Sequence, residues 1–169
     1  VLSEAQELDV GNYLAWPEHD LYGESGWDAF GLYAFGRRMD ANCARCPATA
    51  RLVEAVPGMV TAGFSRLAGG AHIKPHRGFE SYAGHYLRCH LGLDIPPGCG
   101  LRVGGETREW QAGRCMVFDD SVEHEAWNRS DEARIVLLMD FRNPFRADPP
   151  PPPQLTPEVI ALLKRENLA

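Results

Sequence analysis

The chain has 169 residues, which is the size of one ordinary domain. Hydrophobic residues make up 44% of it and charged residues 24%, which excludes a wholly disordered chain, a coiled coil and a collagen. Because 17 Lys and Arg stand against 23 Asp and Glu, the formal net charge is −6, and neither nucleic acid nor an anionic membrane surface is an expected partner.

The first 58 residues predict a flanking segment rather than a regular core. Up to about Gly36 the chain is rich in aromatic residues interrupted by glycines, which indicates irregular structure with short strands. A short helix is predicted from Pro47 to Val56, because Pro47 suits the first helical position and Pro57-Gly58 ends the apolar run.

From Met59 onward, short segments rich in β-forming residues alternate with glycine and proline turn signals. No helical pattern intervenes between them. This organisation is typical of a mainly β protein, either an antiparallel barrel or a double-sheet sandwich, with a few flanking helices. The predicted strands are Met59–Arg66, His85–Ile95, Arg114–Asp119 and Ala133–Phe141.

The end of the chain predicts a linker and a short helix. Five prolines at 149–153 favour a stiff polyproline II spacer, and Thr156 and Pro157 suit the N-cap and first position of a helix. The predicted organisation is one domain at 1–148, with a flanking segment at 1–58 and a core at 59–145, followed by the linker and helix at 149–169. The predicted apolar stripe of the helix is Leu155, Val159, Leu162 and Leu163.

No feature of the sequence predicts a membrane or secretory destination. No apolar run approaches the ~18 residues that span a bilayer, and the first residues are acidic, unlike a signal peptide. The five cysteines are odd in number and irregularly spaced, so we expect reduced thiols and a cytoplasmic location. Cys43 and Cys46 form a Cys-x-x-Cys pattern, for which two reduced cysteines are the default interpretation and a redox or zinc role the alternative.

Two histidines stand in contexts that suggest metal binding. His76 precedes Arg77-Gly78 at the end of a predicted strand, and His124 lies in the stretch from Phe118 to Trp127. Opposite walls of a small β-barrel can bring such residues together, and two imidazoles with one carboxylate form the iron site of many non-haem oxygenases. The carboxylate of the usual His-x-Asp pattern is missing here, because Gly78 stands at its position.

Two arginines lie on predicted strands where a buried charge needs a partner. Arg88 and His90 are two residues apart and share one face of a strand whose other face is apolar, as expected for a strand that lines a ligand site. Arg134 opens an apolar strand, where a bound carboxylate or an ion pair within the chain would satisfy it. The acidic residues considered for such an ion pair are Asp119, Asp120 and Asp140.

Several short stretches in a fixed order carry a resemblance to a known family. The most specific is Phe118-Asp119-Asp120-Ser121-x-Glu123-His124-Glu125-x-Trp127. The others are Phe64-Ser65, His76-x-Gly78, Arg88-x-His90-Leu91-Gly92-Leu93-x-Ile95-Pro96, Trp110-x-x-Gly113 and Arg134-x-Val136-Leu137. With these stretches, the chain from about Cys46 to Pro144 resembles the aspartyl/asparaginyl β-hydroxylase family, a branch of the Fe(II)/2-oxoglutarate dioxygenases.

The resemblance implies a double-stranded β-helix, or jelly roll, that uses Fe(II), 2-oxoglutarate and O2 to hydroxylate an unactivated C–H. It implies that His76 and His124 bind Fe(II) with Gly78 in place of a third ligand. It implies that Asp120 is a catalytic residue which hydrogen-bonds a water on the iron, and that Arg134 holds the 5-carboxylate of 2-oxoglutarate. The residues that match the family's 2-oxoglutarate-binding positions are Ser65, Arg88, His90 and Arg134.

The implied substrate is of amino-acid type: a peptidyl Asp or Asn, a free amino acid or a related small molecule. Relatives that act on aspartyl peptides carry basic residues where this chain has Gly63 and Tyr86, which puts an acidic peptide in doubt and leaves a peptide natural product or a lipid-linked acyl chain open. Two further hypotheses are a 2-oxoglutarate-dependent halogenase and a non-catalytic jelly-roll protein that binds a metal or a carboxylate. The oligomeric state is not assigned.

Overall fold

Two antiparallel sheets form the computed structural model, which describes residues 1–24, 26–78, 82–152 and 154–165. The large sheet has the strand order β1-β2-β4-β11-β6-β9, with β3 paired to β2, and the small sheet has the order β5-β10-β7-β8. The strands are β1 (Leu14–Ala15), β2 (Trp27–Ala34), β3 (Arg37–Arg38), β4 (Met59–Leu67), β5 (His72–His76), β6 (Tyr86–Asp94), β7 (Cys99–Val103), β8 (Glu106–Glu109), β9 (Cys115–Phe118), β10 (His124–Asn128) and β11 (Arg134–Arg142).

Short helices flank the sheets. They are α1 (Leu2–Gln6), α2 (Asp40–Arg45), α3 (Pro47–Glu54) and α4 (Pro157–Arg165), with single 3-10 turns at Val10–Asn12 and His19–Leu21. None of the helices within the described residues has the length and hydrophobicity that crossing a bilayer requires.

The large sheet is covered on its outer face by α2 and α3. Phe64, Cys89 and Leu137 on that face pack with Cys43 of α2 and Val53 of α3 in one buried hydrophobic cluster. Because side chains alternate along a strand, the residues next to these point to the other face of the sheet. Arg88 and His90 therefore lie on the inner face, as the alternating pattern predicts.

A second hydrophobic cluster fills the space between the two sheets. Leu67 and Val136 of the large sheet meet Ile73, Leu101 and Ala126 of the small sheet there. The register pairs Ser65 with Val136 and His90 with Leu138, so these polar side chains share the inner face with the apolar ones. Polar residues on this face have no solvent in front of them and must be satisfied within the protein or by a ligand.

The predicted double-sheet sandwich is confirmed, and the four predicted strands are found as β4, β6, β9 and β11. The helix predicted from Pro47 is found as α3, with Pro47 in its first turn. The helix predicted after Thr156 is found as α4, and the amide of Val159 is 3.4 Å from the Thr156 hydroxyl that caps it. Pro153 of the predicted polyproline spacer lies outside the described residues.

The N-terminal segment is more regular than predicted. β2 spans eight residues and pairs with β4 along most of its length, so the large sheet begins well before residue 59. Its glycine, Gly31, breaks the alternating hydrophobic pattern that signals a strand. A Cβ atom there would lie 2.7 Å from the sulfur of Met39, so a larger residue would displace the Met39 side chain.

Candidate active site

His76 and His124 are neighbours on adjacent strands of the small sheet. His76 ends β5, His124 begins β10, and the two residues are register partners in the antiparallel pairing. Their ring centroids are 4.2 Å apart. We call these two residues the histidine pair.

Backbone carbonyls fix the protonation of both rings. Nδ1 of His76 lies 2.8 Å from the carbonyl oxygen of Lys74, and Nδ1 of His124 lies 2.9 Å from that of Val122. A carbonyl only accepts, so each Nδ1 carries the proton and each Nε2 keeps its lone pair. Burial lowers the pKa of His76, and burial together with the nearby His76 lowers the pKa of His124 to about 3, so both rings are neutral at pH 7.

Two neutral imidazoles with available Nε2 atoms suit a transition metal such as Fe(II). Among the residues that the structure describes, no group of three or more His, Cys, Asp or Glu side chains is arranged to hold a metal ion. A metal at the histidine pair would therefore have two side-chain ligands from the described part of the chain. An open coordination sphere of this kind is what a metal needs in order to bind a cosubstrate.

The side chain of Asp120 occupies the space in front of Gly78. A Cβ atom at position 78 would overlap the carboxylate of Asp120, and the amide of Gly78 donates to the carbonyl oxygen of Asp120 at 2.8 Å. A carboxylate thus lies beside position 78, although that position has no side chain of its own. Glycine is required there because Asp120 fills the room that any other residue would need.

We expect Gly78→Ala to displace the Asp120 carboxylate, because the added methyl would lie far inside van der Waals contact. Losing an orienting group beside a metal costs roughly 10–100-fold in affinity or activity, so turnover should fall by that factor. A matched control is Gly105→Ala, since a Cβ atom at Gly105 meets nothing within 4 Å. Equal turnover of the two variants would show that the contact between Gly78 and Asp120 has no role in the reaction.

Arg88 joins two buried carboxylates across the sheet. Its Nη1 lies 2.9 Å from Oδ2 of Asp120, and its Nε and Nη2 donate to the two oxygens of Asp140 at 2.7 and 2.8 Å. Burial alone would lower the pKa of Arg88, but the two carboxylates outweigh it and raise that pKa. The resemblance places Arg88 among the residues that bind 2-oxoglutarate, whereas in the structure its guanidinium holds Asp120 and Asp140.

A second arginine, Arg134, is buried and has no acidic partner among the residues that the structure describes. It is 1% exposed, its Cζ lies 4.7 Å from the centroid of the Trp110 ring, and burial lowers its pKa to about 10, so that it stays charged at pH 7. The ion pairs considered from the sequence do not form, because Asp120 and Asp140 pair with Arg88, while Asp119 accepts from the amides of Gly84 and Ser121.

Polar atoms without partners cluster around Arg134. In the described part of the chain, Nε and Nη1 of Arg134, both ring nitrogens of His90 and Nε1 of Trp110 are buried and make no hydrogen bond. The His90 and Trp110 rings stack with centroids 5.9 Å apart. Each such atom costs about 1–3 kcal/mol when left unsatisfied, and an unpaired charge costs more. We call these three residues the anion pocket, because a carboxylate would satisfy the guanidinium and its neighbours.

The anion pocket and the histidine pair are connected through one aromatic ring. The Phe118 ring lies edge-on to His90, with centroids 5.2 Å apart, and 5.4 Å from the ring of His124. A charged pocket and a metal-binding pair on either side of one ring suit a ligand that is both an anion and a metal chelator. 2-Oxoglutarate has this chemistry, and the residues present fit it.

A cavity of about 390 Å³ lies beside β2 and β4 and reaches His76 of the histidine pair. His76, Gly78, Asp120 and Arg88 form one part of its wall, and Ser65, whose hydroxyl accepts from Nε1 of Trp27 at 3.1 Å, lies beside them. The rest is almost wholly apolar. Prominent lining residues are Leu14, Trp16, Trp27, Tyr33, Met39, Phe64, Val159, Leu162 and Leu163. We call this space the apolar cavity.

Cys43 and Cys46 lie away from this site, in the core under the large sheet. Both thiols are free and buried, and Cys43 lies 3.3 Å from the carbonyl oxygen of Leu32. Burial raises the pKa of Cys43 and raises that of Cys46 to about 11, which disfavours the thiolate that redox or metal chemistry would need.

Three features of the site were not singled out from the sequence. Asp140 was considered only as a partner of Arg134, and its pairing with Arg88 depends on the register of β6 and β11. Trp110 belongs to a matching stretch, but nothing in the pattern places its ring against Arg134. The contribution of α4 to the apolar cavity depends on the path of the preceding segment.

Comparison with known proteins agrees with the fold and shows the family. The family model for aspartyl/asparaginyl beta-hydroxylase matches residues 1–144. The chain is 37% identical over 150 residues to the ornithine lipid ester-linked acyl 2-hydroxylase of Rhizobium tropici, covering 87% of this chain and 52% of that one. It is 36% identical over 146 residues to the human aspartyl/asparaginyl beta-hydroxylase, covering 81% of this chain and 19% of that one. The chain therefore spans about half or less of the length of these relatives.

Among solved structures, a cupin-2 domain protein from Rhodospirillum rubrum superposes with a TM-score of 0.50 at 16% identity, covering 95% of this chain and 86% of that one. This likeness confirms the predicted jelly roll. The fold and the matches define the class of the protein, a jelly-roll domain of a hydroxylase family. The chain belongs to the aspartyl/asparaginyl β-hydroxylase family.

Proposed function

We propose that this hydroxylase depends on Fe(II) and 2-oxoglutarate and acts on an unactivated C–H in an apolar chain of its substrate. The observation that supports the cofactors best is the anion pocket, where a buried Arg134 has unpaired donors near two neutral imidazoles. When bound, iron and 2-oxoglutarate supply the oxidation, in which O2 gives one oxygen atom to the substrate carbon and one to succinate, with loss of CO2.

Different residues of the chain bind the metal and the cosubstrate. The histidine pair holds the metal through Nε2, because both Nδ1 atoms are committed to backbone carbonyls. Arg134 takes the distal carboxylate of 2-oxoglutarate, with His90 and Trp110 beside it. Asp120, held by Arg88, supplies a hydrogen-bond acceptor next to the metal position. Ser65 stays a predicted contact of the cosubstrate.

The apolar cavity supports a substrate with an apolar chain. Its floor contains Ala29, Gly31 and Gly63, which contribute little side-chain bulk, and the Met39 side chain lies in front of Gly31. The R. tropici relative is named for hydroxylating an ester-linked acyl chain. An acyl chain would fill the cavity with the contacts that a void lacks, at a gain of ~25 cal/mol per Å² of apolar surface removed from water.

The same wall offers little to an acidic peptide. Gly63 brings no charge to the cavity, and Tyr86 packs its ring against Tyr82, with centroids 4.3 Å apart. Arg88 is committed to two carboxylates, and Nη1 of Arg77 donates to the carbonyl of Ser121 at 3.1 Å. A substrate carboxylate would therefore meet Asp120 and Asp140, whose shared cationic partner, Arg88, is already committed to both of them.

Asp120 also distinguishes hydroxylation from halogenation. In the halogenase hypothesis a halide would take the place of the missing carboxylate beside Gly78. The Asp120 carboxylate already fills that space, and its charge would repel an anion. This contact supports hydroxylation as the reaction.

The test of the proposed substrate class is substrate-dependent succinate formation. The full chain is incubated with Fe(II), 2-oxoglutarate and ascorbate, together with an ornithine lipid, with a peptide that contains Asp and Asn, or with neither. We expect the lipid to stimulate succinate formation and the peptide to leave it at the level without substrate. Stimulation by the peptide alone would reject the acyl chain, and stimulation by neither would reject both classes.

A further inference from the structure

The C-terminal helix α4 buries apolar side chains that belong to neither hydrophobic core cluster. Val159 is 3% exposed and Leu163 is 8% exposed, yet within the described residues both clusters are built without α4. Both side chains line the apolar cavity, as does Leu162. The helix therefore covers the cavity and not the core.

The spacing of these three residues explains how one short helix can cover the cavity. Positions 159, 162 and 163 follow the i, i+3, i+4 pattern and share one face, while Ile160 on another face is 38% exposed. Thr156 caps the helix, and Pro157 fixes its first turn. Helix α4 thus supplies an apolar wall to the cavity that also lies beside β2 and β4.

We propose that α4 is the specificity wall for the substrate chain, with Leu162 and Leu163 deciding which apolar chains fit and bind. This inference rests on the proposed function, because it names residues that would select the substrate of that same site. It concerns a part of the chain beyond residues 1–144, the part that the family model matches.

The α4 side chains can affect binding because an apolar chain makes contacts in the cavity that are missing when the cavity is empty. A cavity lined by apolar side chains forfeits dispersion contacts on the empty side and gains them when an apolar chain enters. A chain in the cavity would lie between α4 and the floor of Ala29, Gly31 and Gly63, so the size of the α4 side chains sets the room available to it. A charge on the same face would leave a carboxylate against the bound chain with no partner.

The test is a binding measurement that needs neither iron nor 2-oxoglutarate. Trp16 and Trp27 line the apolar cavity and stack with ring centroids 4.9 Å apart, so a bromine-labelled fatty acid in the cavity should quench their fluorescence. Leu163→Asp is compared with Ile160→Asp, which places the same charge on the exposed face of the same helix. We expect Leu163→Asp to weaken binding by about tenfold or more and Ile160→Asp to leave it within about twofold.

A second variant keeps the test informative if Leu163→Asp releases the helix. Leu162→Trp keeps the wall apolar and makes it larger, so a series of fatty acids of increasing length should show a shift of the preferred length to shorter chains. Equal binding by Leu163→Asp and Ile160→Asp, an unchanged length profile for Leu162→Trp, or no quenching of the wild-type chain would each overturn the proposal. Hydroxylation that did not require Fe(II) would reject the proposed cofactors and would leave these binding results unchanged.

Discussion

His76→Ala and His124→Ala should each abolish hydroxylation and the binding of Fe(II). One imidazole alone is too weak a site for Fe(II), and each variant removes one of the two Nε2 donors of the histidine pair. Anaerobic wild-type protein with Fe(II) and 2-oxoglutarate should show a weak visible charge-transfer band, and both variants should lack it.

The matched control for this experiment is His72→Ala, on the same strand β5. His72 is 49% exposed in its side chain and pairs with Glu125 at 2.8 Å, away from the histidine pair. This variant should keep the band and the turnover. If either variant of the histidine pair kept both, the metal assignment would be wrong.

Arg134→Met should raise the KM for 2-oxoglutarate far more than the KM for the substrate. Truncating a buried charge pair costs about 2–5 kcal/mol, which is at least about a 30-fold change in affinity. The same variant should stabilise the protein without ligand, because Arg134 is buried with unpaired donors and its removal relieves that cost. Thermal unfolding with and without 2-oxoglutarate measures both effects, since a ligand that binds the folded state raises the midpoint.

The control for Arg134 is Arg66→Met. Arg66 lies on β4 of the same sheet but pairs with Asp28 at 3.0 Å. Its loss should destabilise the protein slightly and leave the cosubstrate KM unchanged. If Arg134→Met destabilised the ligand-free protein and left the cosubstrate KM unchanged, Arg134 would be a structural residue.

Strands that are rich in β-forming residues could be predicted from the sequence. β4, β6, β9 and β11 are rich in β-forming residues, and the ends of each lie within one residue of the predicted ends. β5 and β10 carry the histidine pair, and their short polar sequences give little periodic signal. Their pairing with each other defines them, and that pairing is a property of the whole sandwich.

In the candidate site, too, local motifs could be predicted and contacts between distant residues could not. The stretches around His76, His124 and Arg134 carry enough specific residues to indicate the family, and the structure brings the histidines together. The partners of Arg88 could not be predicted, because they depend on the register that sets Asp140 opposite it and on the turn that brings Asp120 to Gly78. Residues far apart in sequence leave no local pattern when their contact is made by the fold.

Coupling of 2-oxoglutarate decarboxylation to hydroxylation of an apolar chain can be measured by turnover of an ornithine lipid under ¹⁸O2, with the label followed in both products by mass spectrometry. We expect one labelled oxygen atom in succinate and one in the hydroxyl group of the acyl chain, in equal amounts. Hydroxylation without labelled succinate, or labelled succinate without any hydroxylated chain, would contradict this expectation.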